Sequence, residues 1–186
     1  MDYRKYQASR DLAWEVLLRE GVCELPVSTS KLCRSMGIHL LYGDTGAGND
    51  GYSTMVDGGM YIVIREGMSL GRTRFTVAHE LGHILLGHVG TYSLVNREPS
   101  STDNPIEREA NVFASRLLAP ACVLWGCGAR TADDIAKLCG ISRRAAEIRA
   151  ARMEELIRRD KFLSSPLERR VYKQFLPFIR SRQKLV

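Results

Sequence analysis

The segment at residues 71–88, GRTRFTVAHELGHILLGH, constrains the fold more than any other part of this sequence. Its apolar residues form the longest apolar helical stretch of the chain and predict a helix that is buried in the protein core. Two histidines and a glutamate, His79, Glu80 and His83, nevertheless lie within it. Burying these groups without partners would cost free energy, so the fold has to provide partners for them.

The spacing of the two histidines favours a shared metal ion. Residues four apart lie one turn apart on the same helical face, so both imidazoles can reach one ion. Glu80 points about 100° around the helix and can lie beside the metal without being a ligand. This is the H-E-x-x-H arrangement of zinc peptidases. The alternative is a pair of core histidines with ordinary hydrogen bonds.

A catalytic zinc site needs a third protein ligand. The metzincin pattern is excluded, because Gly87 and His88 follow His83 by four and five positions instead of three and six. An acidic side chain from a later helix is the remaining source of this ligand. The nearby candidates for this ligand are Asp103, Glu107 and Glu109.

The position of Asn111 favours Glu107 among the three candidates for the third ligand. It follows Glu107 by four residues and shares its helical face, where its side chain could hold a liganding histidine from behind. Glu109 lies about 200° around the helix from Glu107 and is expected to face elsewhere.

In the sequence as a whole, the predicted strands and the predicted helices occupy separate stretches of the chain. This separation favours an α+β fold over a βαβ sheet. The expected strands are Ile38–Tyr42, Tyr52–Val56 and Met60–Ile64, the last two joined by the hairpin turn at residues 57–59. They would form a small, mainly antiparallel sheet of about three strands. Helices are expected at residues 3–20, 28–37 and 105–119, from residue 131 onwards, and after residue 165, where a last basic helix opens.

The composition indicates the cellular compartment of the protein and the kind of partner that it binds. The five cysteines form no C-x-x-C motif, and their odd number favours reduced, buried thiols. No run of about 18 apolar residues and no signal-peptide pattern occurs, so a cytoplasmic protein without a membrane partner is expected.

Residues 143–186 hold 13 of the 27 Lys and Arg residues but only 5 of the 21 Asp and Glu residues. This basic end suits an acidic partner such as nucleic acid, or is a solvated helical surface.

The pattern after Thr131 also permits a helix-turn-helix. Ser142 would cap a helix that carries Arg143, Arg144 and Arg149, and these arginines could contact DNA phosphates or guanine edges. A DNA-binding regulator is therefore the hypothesis that competes with a peptidase. The same helices could instead close a peptidase domain.

Two motifs together resemble the ImmA/IrrE family of metallopeptidases. They are RFTVAHELGHILLGH and the later ExxANxFAxxLLxP, which begins at Glu107 and ends at Pro120. The likeness extends to the segments LPVSTSKLCRSMGI and DDIAKLCGISRRAAEIR, and so covers most of the chain up to about Arg152. The basic end beyond residue 160 lies outside it.

The resemblance implies a gluzincin-like fold and one zinc ion, with Mn²⁺ or Fe²⁺ as alternatives. It implies that His79, His83 and Glu107 are ligands, that Glu80 is the general base, and that Asn111 supports a ligand from outside. It also implies site-specific cleavage of a helix-turn-helix (XRE-type) repressor, by peptidases that work beside mobile elements or stress regulons. A zinc-binding, antitoxin-like partner without turnover is a further alternative.

The expected organisation is a peptidase core at residues 1–128, with a basic, helix-turn-helix-like region at residues 129–186 packed on it. The strand at Met60–Ile64 is expected to offer a free edge to which an extended substrate adds as a further strand. His88 and Tyr92 are the nearest residues, by sequence, that could stabilise an oxyanion.

Overall fold

The computed structural model describes residues 3–89 and 104–183 and has a mixed α+β fold, as the sequence predicts. The strands are β1 (His39–Gly43), β2 (Gly51–Val56) and β3 (Gly59–Arg65). The helices are α1 (Tyr3–Arg19), α2 (Thr29–Ser35), α3 (Leu70–Leu85), α4 (Pro105–Leu118), α5 (Ala121–Gly126), α6 (Ala132–Cys139), α7 (Arg143–Arg158), α8 (Pro166–Gln174) and α9 (Leu176–Gln183). Residues 90–103, between α3 and α4, fall outside the described residues.

The three strands form one sheet in the order β1-β3-β2. β2 and β3 are antiparallel and are joined by a two-residue turn in which Asp57 and Gly58 have positive φ angles of 48° and 79°. Such a turn matches the twist of a tight hairpin. β1 pairs with β3 in parallel, so the sheet is mixed and the prediction of a mainly antiparallel sheet is wrong. The reason is that the chain after β1 crosses to the far side of β3 before it forms β2, instead of turning back as a second hairpin.

The order of the strands also corrects the expected substrate edge. β3, which contains Met60–Ile64, is the central strand, and Ile62 pairs with Leu40 on one side and with Ser53 on the other. Both of its edges are therefore occupied. The outer strands of this sheet are β1 and β2, so an added strand has to pair with one of these.

Contacts divide the chain into two compact units. Unit 1 comprises residues 1–9 and 28–114, and unit 2 comprises residues 10–27 and 115–186. The division runs through α1 and α4. It is a division by contact alone, and the expected functional boundary between residues 128 and 129 stays a prediction.

Unit 1 is built on the packing of α3 against β2 and β3. Ser69 caps α3, because its hydroxyl accepts a hydrogen bond from the backbone N–H of Arg72 at 3.4 Å. Leu81 of α3 and both Ile62 and Ile64 of β3 are completely buried. The apolar density of residues 71–88 thus marks a core helix, as expected.

All the regular secondary structure described in unit 2 is helical. Thr131 caps α6 in a capping box, Gly140 ends α6 in the left-handed conformation, and Ser142 caps α7. Ser165 caps α8 as predicted. The expected last basic helix is divided into α8 and α9 at Phe175, whose side chain is fully buried.

The five cysteines are free thiols. Cys33, Cys122 and Cys139 are buried, and burial raises the pKa of the Cys122 thiol to about 12, so this thiol is neutral and unreactive. Cys23 is exposed, because it lies in the segment between α1 and α2, and the expectation of burial is wrong for it. Among the described helices, none combines the length and the apolar character needed to cross a bilayer.

Candidate metal centre

Three potential metal ligands meet in unit 1. His79 and His83 lie one turn apart on α3, and Glu107 lies in the first turn of α4. Nε2 of His79 is 3.1 Å from Oε2 of Glu107, and Nε2 of His83 is 3.4 Å from Oε1 of the same carboxylate. The two Nε2 atoms are 3.0 Å apart. The two Nε2 atoms and the carboxylate of Glu107 therefore face a common point, with one carboxylate oxygen near each ring.

The spacing of these donor atoms fits a zinc ion. Zinc–nitrogen and zinc–oxygen bonds of about 2.0–2.2 Å with tetrahedral angles separate neighbouring donors by roughly 3.3–3.5 Å. The 3.0 Å between the two Nε2 atoms, and the 3.1 and 3.4 Å from these nitrogens to the two different oxygens of Glu107, equal this value or fall slightly short of it. Two imidazole nitrogens and one carboxylate oxygen are also the donor set of one class of catalytic zinc site.

Electrostatics favour the ionised form of Glu107. Its contacts with the rings of His79 and His83 hold the pKa of its carboxyl far below the ordinary value, and they outweigh the opposite effect of burial. Glu107 is therefore a carboxylate at neutral pH, which is the form that binds a cation.

Asn111 lies behind His79. Its Oδ1 atom accepts a hydrogen bond from Nδ1–H of His79 at 3.1 Å, one turn along α4 from Glu107. A histidine whose Nδ1 carries the proton has its Nε2 lone pair available for a metal. The structure thus places Asn111 against the ring of His79, and its role in supporting a metal ligand stays a prediction.

Glu80 is buried beside the first histidine, with 3% of its surface exposed. The hydroxyl of Ser53, on β2, donates a hydrogen bond of 2.8 Å to its Oε2 atom. The sequence reasoning missed Ser53, because only the position of β2 against α3 brings the two residues together. Ser53 is the one buried residue of β2, and a polar residue buried in a strand is the signal that a predicted sheet could have supplied.

Among the described residues, the other candidates from the sequence do not belong to the group of three donors. Glu109 turns away from the three donors, as predicted, and its Oε2 lies 3.4 Å from Nε2 of His88. His88 in turn has its Nδ1 atom 3.0 Å from Nδ1 of His83. Burial and the neighbouring His83 lower the pKa of His88, so its ring is neutral at pH 7. Asp103 and Tyr92 lie outside the described residues.

Gly82, inside the H-E-x-x-H motif, allows α4 to approach α3 closely. A Cβ atom at this position would lie 3.0 Å from Cδ1 of Phe113 and 3.3 Å from Cα of Ala110. Both contacts lie within one turn of the part of α4 that carries Glu107 and Asn111. The missing side chain therefore sets the distance between the two helices that supply the ligands.

We expect Gly82→Ala to weaken metal binding and to destabilise the protein by about 1–3 kcal/mol, since an added methyl group overpacks this contact. Zinc affinity by chelator competition and thermal unfolding measure the two effects. Gly43→Ala is the matched control, because a Cβ at Gly43 meets no atom within 4 Å. Equal zinc affinity and stability in both variants would contradict the close-packing argument.

The fold and these side chains define the class of protein. An H-E-x-x-H helix, with a carboxylate from a following helix near both histidines, is the framework of metal-dependent hydrolases. The chain belongs to the Peptidase_M78 family: the model of its IrrE N-terminal-like domain matches residues 33–151, more than half of the sequence. This match confirms the resemblance to the ImmA/IrrE family and assigns the chain to a peptidase family. No curated protein matches the chain.

Proposed function

We propose that this protein is a zinc-dependent endopeptidase of the cytoplasm that cleaves a helix-turn-helix transcriptional repressor and so relieves repression. The observation that carries the proposal is the convergence of His79, His83 and Glu107, with buried Glu80 adjacent to the first histidine. Membership in a peptidase family supports the reaction class. The substrate class rests on the resemblance to the ImmA/IrrE family.

The chain's own residues have separate tasks in this reaction. His79, His83 and Glu107 would hold the ion, which when bound polarises the scissile carbonyl and acidifies the attacking water. Glu80 would accept the proton of that water and return it to the leaving amine. Ser53 holds one oxygen of Glu80 by its hydrogen bond and so limits the orientations of this carboxylate.

Selectivity for a folded partner would follow from the small size of the sheet. A three-stranded sheet with short outer strands offers little length for binding extended peptides. Docking of a folded partner, with cleavage in an exposed segment of it, provides more contact area. The excess of Lys and Arg in residues 143–186 supplies a basic surface that suits an acidic stretch of this partner.

The test is incubation of the full-length, zinc-loaded protein with the helix-turn-helix repressor encoded beside it, with mass spectrometry of the products. We expect two fragments from a single cut, and none when a chelator has removed the metal. An intact repressor in the presence of stoichiometric zinc would contradict the proposed substrate. A protein that binds no zinc would contradict the proposed chemistry.

A DNA-binding regulator remains the second candidate, because α6 and α7 pack together across the turn at Gly140. Two of the three arginines predicted to contact DNA, Arg149 and Arg143, give this candidate little support, whereas Arg144 is exposed. Arg149 is 3% exposed and its Nε donates to the backbone oxygen of Ala119 at 2.8 Å, so it cannot contact DNA. Arg143 forms ion pairs with Asp133 and Glu147. The expected DNA contact through Arg149 is therefore wrong, because this side chain is part of the interior of unit 2.

We expect any DNA binding by the full chain to be weak, indifferent to sequence and steeply dependent on salt. The exposed basic side chains available to it would contact phosphates rather than base edges. Fluorescence anisotropy with two unrelated duplexes, at about 50 and 200 mM salt, measures both properties. Binding that discriminates between the duplexes and survives the higher salt would favour the regulator.

A further inference from the structure

The C-terminal turn of α3 folds back against His83, one of the three ligand candidates. Gly87 has a positive φ of 75°, and its N–H donates to the carbonyl of Ile84, while the N–H of His88 donates to the carbonyl of His83. This pair of hydrogen bonds is a Schellman motif. The motif brings His88, the residue after the glycine, next to His83, which lies five positions earlier in the chain. His88 is therefore placed against His83 by the backbone itself.

The side chains continue this contact as a chain of three groups. Nδ1 of His83 lies 3.0 Å from Nδ1 of His88, and Nε2 of His88 lies 3.4 Å from Oε2 of Glu109. The three side chains are 4%, 9% and 14% exposed, so water competes little for these contacts. Glu109 is placed to accept the Nε2–H of His88, and this tautomer would leave the Nδ1 lone pair of His88 to accept Nδ1–H from His83.

The arrangement at His83 parallels the one at His79. Asn111 accepts the Nδ1–H of His79, and His88 is placed to accept the Nδ1–H of His83. In both cases the proton on Nδ1 leaves the Nε2 lone pair directed at the common point. An outer partner of this kind fixes the tautomer and the ring orientation of a metal-ligating histidine.

We propose that His88, oriented by Glu109, is a positioning residue that holds His83 in the tautomer and ring orientation needed to bind the metal. This inference rests on the proposed zinc chemistry and adds two residues to it. In this proposal Glu109 acts through His88, whose Nε2 atom faces its carboxylate. Its replacement should therefore cost less affinity than replacement of the ligand Glu107.

Zinc affinity, measured by competition with a chromophoric chelator, tests the proposal. We expect His88→Leu to weaken zinc binding by about 10–100-fold and His88→Gln to recover much of the loss, because the glutamine oxygen can accept the Nδ1–H. Glu109→Leu should have a smaller effect, and His88→Leu combined with Glu109→Leu should lose no more than His88→Leu alone. His39→Leu, on β1 outside the centre, is the matched control and should bind as wild type does.

Nitrogen-detected NMR of the histidine rings in the metal-free protein gives a second readout, which needs neither zinc nor activity. We expect the Nδ1–H tautomer for His83 in the wild type and a loss of this preference in His88→Leu. The Gln variant, which preserves an acceptor, keeps the test usable if the leucine variant does not fold. Wild-type zinc affinity in His88→Leu, or fully additive effects in the double variant, would overturn the proposal while leaving the zinc peptidase intact. A wild-type protein that binds no zinc would instead overturn the proposed function.

Discussion

Glu80→Gln is expected to abolish cleavage of the repressor while zinc binding and repressor binding persist. Glutamine has the shape of glutamate, and its side-chain oxygen can still accept the hydrogen bond from Ser53, but it cannot carry a proton between water and leaving amine. The rate should fall by roughly 10²–10⁴-fold or more. Co-expression with the repressor and mass spectrometry of the fragments measure cleavage, and elemental analysis measures the retained zinc.

Glu66→Gln is the matched control for this experiment. Glu66 follows β3 and is exposed, so its replacement should leave cleavage at the wild-type rate. Cleavage by Glu80→Gln as fast as by the wild type would mean that the H-E-x-x-H chemistry is not the activity. If the wild type also fails to cut but binds the repressor, the non-catalytic, antitoxin-like alternative is favoured. If both proteins instead bind operator DNA specifically, the regulator is favoured.

The local pattern of the sequence was sufficient to predict the approach of the ligand candidates. The spacing of His79 and His83 along a helix determines that both rings share a face. The spacing of Glu107 and Asn111 does the same on the second helix, so one helix–helix contact is enough to bring all four together. These relations depend on helical geometry alone, which is why they could be predicted without the structure.

Three features were not predicted from the sequence. The sheet order and the contact between Ser53 and Glu80 depend on segments that are distant in the chain, and the position of His88 depends on the turn at Gly87. The sheet order is determined by how the chain crosses β3, and neither apolar alternation nor the hairpin signal encodes that crossing. Ser53 meets Glu80 only after β2 has packed on α3. His88 was predictable, since Gly87 after an apolar helix is the signal for a Schellman turn, and that turn returns the next residue to His83.

We expect His79→Ala, His83→Ala and Glu107→Ala each to lose stoichiometric zinc. Each substitution removes one of three donor atoms that lie within 4.8 Å of one another, and the two that remain cannot form a closed site. The loss of affinity should exceed the roughly 10–100-fold that removal of an outer partner causes. Elemental analysis of protein purified without a histidine tag measures the bound metal, and thermal unfolding with and without added zinc measures the linked gain in stability.

His39→Ala and Glu66→Ala are the matched controls for the loss of a histidine and of a glutamate. His39 stacks on Tyr61 at the sheet, with ring centroids 4.8 Å apart, and Glu66 is exposed, so neither lies at the three donors. Both controls should keep one equivalent of zinc and the rise in unfolding temperature that zinc causes. Full zinc in both histidine variants would contradict the metal centre. A greater loss in Glu109→Ala than in Glu107→Ala would move the third ligand to Glu109 and would contradict the role given to it behind His88.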